Sequence, residues 1–340
     1  MTPASPPPIP AAIAPAMPSP NPPALLGVRD LKVQFTVRGP FNRRVGAIKA
    51  VDGVSFDLMP GEVFGLVGES GCGKSTLGKT IMGIHRPSEG EILFEGQRID
   101  RLSPAARRAV RSRLQYAYQD PGASLDPRWK IGRSLGEPLV IHTDLDAAGR
   151  DARIRDILEA VGLPDTHLDL YPHEVSGGQQ RRVGLARILT LHPRVVILDE
   201  PTSGLDVSVQ ATVLALFRSL RATFARTYML ISHDLAVVRT MCSRVAVMYL
   251  GRIVETGPTE AIFERPRHPY TRSLLAAIPK IGGLRVTRDF WLQGEPPDPG
   301  NIPSGCRFRT RCPKAADLCA REEPALSPLG QGAVACHFPD

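Results

Sequence analysis

The chain has 340 residues, a formal net charge of +8 and six cysteines. That length can bury a large core and has room for about two domains. No apolar run reaches the roughly eighteen residues that span a bilayer, which excludes a membrane-crossing helix. The positive charge suits an anionic nucleotide or an anionic membrane surface, and nucleic acid equally. No nucleic-acid-binding motif accompanies it, and aromatic residues make up only 6% of the chain.

Residues 1–24 are dominated by Pro and Ala, with Pro6-Pro7-Pro8 and Pro22-Pro23, so a disordered, partly polyproline tail is expected. The start lacks a basic stretch followed by an apolar one, so no secretory signal is expected. From residue 25 short β-type runs alternate with turns: Leu31–Phe35, Val54–Leu58 and Glu91–Phe94. Within this region the apolar run Glu62–Val67 leads into Gly68-Glu69-Ser70-Gly71-Cys72-Gly73-Lys74-Ser75, and Thr76–Met82 continues with helix-compatible spacing. A strand, a Gly-x-x-x-x-Gly-Lys-Ser loop and a helix N-terminus form the context of a phosphate-binding loop. Glycines let backbone N–H groups curl around an anion, and the helix dipole adds positive potential. Lys74 is expected to reach the β- and γ-phosphates and the Ser75 hydroxyl to ligate Mg²⁺.

Residues 101–175 are rich in Arg and in helical spacing, as in Ile154–Val161, and are read as a helical insertion. The basic run Arg107, Arg108, Arg111 and Arg113 reads as a solvated helix face, with lipid or a membrane partner as the alternative. Val175-Ser176-Gly177-Gly178-Gln179 then opens a helix. A hydroxyl and free N–H groups at a positive dipole end make a second anion site, although an ordinary Ser N-cap has the same local pattern. The α/β pattern returns from 176 to about 257. There Val195–Leu198 and Tyr228–Ile231 read as central strands of a parallel sheet covered on both faces. The first ends in Asp199-Glu200, two acids facing the phosphate loop: Asp199 to hold Mg²⁺, Glu200 to polarise an attacking water.

Together these elements, in this order, resemble an ATP-binding cassette (ABC) subunit. The resemblance implies an α/β fold: a P-loop NTPase cassette with a RecA-like core, a β subdomain and a helical subdomain, plus a small Cys-containing C-terminal module. It also implies the roles of further residues. Gln119 in Tyr116-Ala117-Tyr118-Gln119 corresponds to the Q-loop glutamine, a ligand of Mg²⁺ and the γ-phosphate region. Asp206 in Ser203-Gly204-Leu205-Asp206 belongs to the D-loop, and His233 in Leu230-Ile231-Ser232-His233 is the switch histidine. Phe35 is placed to stack on adenine, and Thr76 completes the phosphate-binding set. Two cassettes are expected to pack head to tail, with ATP between the phosphate loop of one and Ser176, Gly177, Gly178 and Gln179 of the other.

The stretches Gln119–Arg128, Tyr171–Glu174 and Arg267–Thr271 are similar to those of dipeptide and oligopeptide importer ATPases, F-type member. The domain reading is a tail (1–24), a cassette (25–260) and an importer-type extension (261–340). The implied function is an ATPase energising import of peptides or related solutes. A soluble ABC-type ATPase acting on nucleic acid or ribosomes is the alternative. The implied partners are a second, D-type cassette, two integral-membrane permeases and an extracytoplasmic solute-binding protein, at the cytoplasmic face of the cell membrane. Cys306, Cys312, Cys319 and Cys336 crowd the end of the chain, which favours a metal or cluster site over disulfides when no export signal is present. Their spacing lacks paired Cys-x2-Cys, so a [4Fe–4S] cluster is expected, with Zn²⁺, and then free thiols or disulfides, as the alternatives.

Overall fold

A computed structural model describes residues 23–39, 42–118, 122–204, 207–224, 226–277 and 294–340. Two sheets carry the fold. The smaller is antiparallel, in the order β2-β1-β4-β5. It comprises β1 (Leu26–Arg38), β2 (Arg44–Leu58), β4 (Glu89–Phe94) and β5 (Gln97–Arg98). β3 (Val63–Val67) follows β2 but joins the second sheet, and every one of its residues is buried. It leads through the glycine-rich loop into α1 (Lys74–Ile81). Leu77 and Ile81 of α1 pack into one core with Leu26, Val28, Leu58 and Phe64, which ties the phosphate loop to both sheets.

The second sheet has eight strands, ordered β11-β12-β10-β9-β3-β8-β7-β6. β6 (Leu114–Ala117), β7 (Val195–Asp199), β8 (Thr227–Ser232), β3 and β9 (Arg244–Tyr249) are parallel neighbours. β7 and β8 are buried throughout, as unbroken apolar runs on a doubly covered sheet must be. β10 (Arg252–Pro258) then turns back antiparallel to β9. The last two strands, β11 (Ser327–Leu329) and β12 (Gly332–Val334), continue the same sheet: Glu255 and Thr256 pair with Val334 and Ala333. The chain end is thus built into the core sheet at one edge.

The stretch 101–175 is helical only in part. α2 (Pro104–Arg113) is capped by the Ser103 side chain and feeds β6, which pairs with β7 inside the large sheet. Beyond it, α3 (Ile131–His142) and α4 (Ala147–Ala160) pack with α5 (Gly177–Leu189) through Ile131, Leu135, Ile154, Ile157, Leu158 and Val183. The arginines of α2 are not merely solvated. Arg107 donates to the carbonyls of Gly83 and Leu102, Arg108 to that of Ile141, and Arg113 pairs with Glu95. α6 (Val207–Phe224), α7 (Leu235–Met241), α8 (Thr259–Glu264), α9 (Pro269–Ala276) and α10 (Asp317–Arg321) complete the described elements. Among the described residues no helix is long and apolar enough to cross a membrane. The proline-rich residues 1–22, Gln119 and Asp206 lie outside the described residues.

The Arg267–Thr271 run builds a corner. Buried Glu255 accepts from the backbone N–H groups of Arg267 (2.7 Å) and His268 (3.0 Å). The imidazole of His268 accepts from the N–H of Tyr270 and so caps α9, whose first residue, Pro269, has no N–H to satisfy. Burial pushes His268 down to about 4, so the ring is neutral and able to accept.

Candidate active site

The phosphate loop is held open by glycine where no other residue fits. Gly73 has φ of 109°, and a Cβ there would lie 2.0 Å from the carbonyl oxygen of Ala50. Gly68 is equally constrained, by the Met248 carbonyl at 2.2 Å. With these approaches allowed, the loop curls around the Lys74 ammonium, which donates to the carbonyls of Gly68 (2.8 Å) and Glu69 (2.9 Å). Beside it a cavity of about 170 Å³ is lined by Ser70, Gly71, Cys72, Gly73, Lys74, Ser75 and Thr76. Ile48, Ala50 and Glu200 line it too, and so do Pro299 and Ile302 from the C-terminal region.

The ends of β7 and β8 bring the acids to this loop. Ser75 donates its hydroxyl to Asp199 Oδ1 at 2.9 Å, across 124 residues of sequence. The other carboxylate oxygen of Asp199 accepts from the Tyr116 hydroxyl. Burial, reinforced by that carboxylate, drives the Tyr116 phenol far above its ordinary value, so it stays a neutral donor. A hydroxyl and a carboxylate already in contact are the oxygen donors that Mg²⁺ prefers, so this pair fits the ion. Glu200 follows with φ of 48°, unusual for a residue with a side chain, and its N–H donates to the Ile231 carbonyl. That backbone sets the Glu200 carboxylate 3.2 Å from Nδ1 of His233. Asp234, next to His233, caps α7 by accepting from Ala236 and Val237 and also accepts from Gln210.

The second anion site is intact as a helix start. Ser176 and Gln179 form a reciprocal capping box at the head of α5: the Ser176 hydroxyl accepts from the Gln179 N–H, and Gln179 Oε1 from the Ser176 N–H. A Cβ on Gly177 or Gly178 would meet nothing within 4 Å, so no packing among the described residues requires those glycines.

Two sequence expectations take a different form. Phe35 is half-exposed, meets His85 edge-on, and is absent from the cavity lining, where its cross-strand partner Ile48 appears. The Glu69 side chain turns away from the cavity to Arg311. Tyr116, Tyr270, Arg311, Pro299 and Ile302 were not singled out from the sequence. Tyr116 sits three residues before Gln119, in a run quoted only for that glutamine.

The expected [4Fe–4S] or Zn²⁺ site has no support among the described residues. Cys306, Cys312, Cys319 and Cys336 are free thiols close enough to raise one another's proton affinity. Yet among the described residues no group of three or more His, Cys, Asp or Glu side chains is arranged to hold a metal ion. Burial, with the neighbouring thiols, pushes Cys306 up to about 11.

Comparison with known proteins decides the family. The chain matches "ABC transporter" over residues 51–203 and "Oligopeptide/dipeptide transporter, C-terminal region" over 254–319. It is 46% identical over 324 residues to the oligopeptide transport ATP-binding protein AppF of Bacillus subtilis, spanning 94% of this chain and 98% of that one. The chain belongs to the ATP-binding subunits of the oligopeptide and dipeptide ABC transporters. This ABC subunit is also 44% identical over 316 residues to the dipeptide transport ATP-binding protein DppF of Escherichia coli, spanning 93% and 95%. In structure it is similar to cbiO1 from Clostridium perfringens, part of the ABC transporter complex cbiONQ. That likeness has a TM-score of 0.62 at 29% identity and covers 71% of this chain and 91% of the other. The dimeric ABC transporter cassette MJ0796 shares the fold at a TM-score of 0.61. Membership makes this ABC subunit an ATPase of peptide import and does not favour the nucleic-acid or ribosome alternative.

Proposed function

We propose that the chain hydrolyses ATP at the Ser75–Asp199–Glu200–His233 constellation and thereby drives peptide import through permease partners. The observation that carries this reading is the meeting of Ser75 with Asp199 and of Glu200 with His233 beside one phosphate loop. In it, Lys74 and the loop N–H groups bind the β- and γ-phosphates, and Ser75 and Asp199, with Gln119, hold Mg²⁺. The bound ion supplies charge neutralisation at the phosphate oxygens. Glu200 orients water for in-line attack on the γ-phosphorus and accepts its proton, and the bond to the ADP oxygen breaks. His233 holds Glu200 and contacts the γ-phosphoryl group. Catalysis is positioning and charge stabilisation, with no covalent enzyme intermediate.

A second cassette completes the site, its Ser176, Gly177, Gly178 and Gln179 supplying a hydroxyl and N–H groups to the γ-phosphate, with Asp206 at the joint. The open space over Gly177 and Gly178 supports this. We assign the partner cassette to the D-type. The assembly also takes in two permeases and a solute-binding protein, with the chain on the cytoplasmic membrane face. The domain reading is a tail at 1–24, a cassette at 25–260 with helical insertion at 101–175, and an extension at 261–340. A stacking role for Phe35 on adenine belongs to the same proposal. The [4Fe–4S] or Zn²⁺ reading of the four C-terminal cysteines rests on their spacing and mutual closeness. Iron and zinc analysis of anaerobically purified protein tests it, and finding neither metal removes it.

The deciding experiment is Glu200→Gln in the reconstituted transporter. ATP binding is expected to persist while turnover falls at least about 100-fold, the scale of a lost general base. Hydrolysis at the wild-type rate would remove Glu200 from the reaction.

A further inference from the structure

Four partners fix Glu69, the second residue of the phosphate loop. Its N–H donates to the Tyr270 hydroxyl (2.9 Å), and its carbonyl accepts from Lys74 and from the Cys72 N–H. Its carboxylate accepts a two-pronged bond from Arg311, at 2.6 and 3.0 Å. Arg311 is 4% exposed at its side chain, with its guanidinium 6.0 Å from the centre of the Tyr249 ring. Tyr249 and Tyr270 pack against each other and against Phe308, so the arginine stands on a rigid aromatic base. Arg311 and Tyr270 both lie beyond the residues matched to the general ABC family.

A loop with three glycines at positive φ loses more backbone entropy on ordering than one with side chains, so an outside restraint has most effect there. The Glu69 N–H is already committed to Tyr270 and its carbonyl to Lys74 and the Cys72 N–H, so this residue anchors the loop rather than an anion. A planar fork suits the task because it fixes the orientation of the carboxylate as well as its distance.

We propose that Arg311, through its bidentate grip on Glu69, is a positioning residue for ATP. It makes the C-terminal extension a working part of the phosphate loop. This rests on the ATPase reading above. The test uses the full chain with a fluorescent N-methylanthraniloyl ATP. Arg311→Met is expected to weaken binding about tenfold, the scale of one lost charge-assisted bond. The loss falls on KM more than on kcat, and amide exchange speeds up at residues 68–75 while β7 keeps its protection. Arg311→Lys, charged but without the fork, recovers only part of the loss. Glu69→Gln produces a similar loss, and the double variant is no weaker than either single one. Binding in Arg311→Met equal to wild type, or losses that add in the double variant, would overturn the proposal. So would exchange that speeds up evenly over the whole chain. If the wild-type chain itself fails to bind the analogue, the ATPase reading falls instead.

Discussion

Arg307 tests whether the C-terminal segment belongs to the cassette core. Its side chain is 7% exposed and donates to Asp52 (8% exposed), to Glu323 at 2.7 Å and to the Leu250 carbonyl at 2.5 Å. Burial alone would push the Asp52 carboxyl up, but the bond and charge of Arg307 hold it below its ordinary value. Replacing Arg307 with Met keeps most of the volume and strands a buried carboxylate. Breaking such a pair from one side costs about 3–5 kcal/mol. Lys49 and Arg252 remain about 4 Å from the same oxygen, at 4.0 and 3.9 Å, so the low end applies. For a chain of this size, about 3 kcal/mol corresponds to a melting point about 4 °C lower. Circular-dichroism melts of the full chain at neutral pH measure it, and adding Asp52→Asn should restore more than half of the loss. An Arg307→Met melt within 1 °C of wild type, on the same scale, would refute the reasoning.

Gly73→Ala should lose ATP binding and cost about 1–3 kcal/mol, because both the φ angle and the Ala50 carbonyl reject a Cβ; titration with labelled ATP checks it. Gly178→Leu has open space around its Cβ, so the monomer should melt as wild type and still bind ATP. ATP-dependent pairing of cassettes, followed by light scattering in a Glu200→Gln background, should disappear. His268 titrates near 4 when folded and near 6.5 when unfolded. Its contribution is complete above pH 6.5 and is lost as the pH falls towards 4, by up to about 3 kcal/mol. Glu255, raised by burial, acts in the opposite sense as it takes up its proton. A Tm–pH profile of wild type against His268→Gln should differ in slope between pH 4 and 6.5 and run parallel above.

The chemistry around ATP was legible because each piece is local. Gly68–Ser75, Asp199-Glu200 and Ser176–Gln179 each encode a backbone shape within a few residues, and their order along the chain indicates one cassette. What escaped sequence reading depends on distant partners. Arg311 meets Glu69 across 242 residues and Arg307 meets Asp52 across 255, with no local pattern marking either arginine. The strand β6 was hidden because four residues behind an arginine-rich helix carry too little periodicity to stand apart. The final hairpin, Ser327–Val334, has the same difficulty, since its two three-residue strands gain their place only by pairing with β10. Four crowded cysteines suggested a metal, but spacing alone does not establish a ligand set, and none is found among the described residues.

The brace between Arg307 and Asp52 also orders events during synthesis. Asp52 leaves the ribosome 255 residues before its partner. At about 5–20 residues per second, that is a wait of about 13 s or more. Throughout it the β subdomain carries a carboxylate whose buried counter-charge does not yet exist, and the phosphate loop lacks Arg311. A nascent chain short of Arg311 therefore carries the phosphate loop without one of its restraints, and on the proposal above holds ATP more weakly until the extension is made.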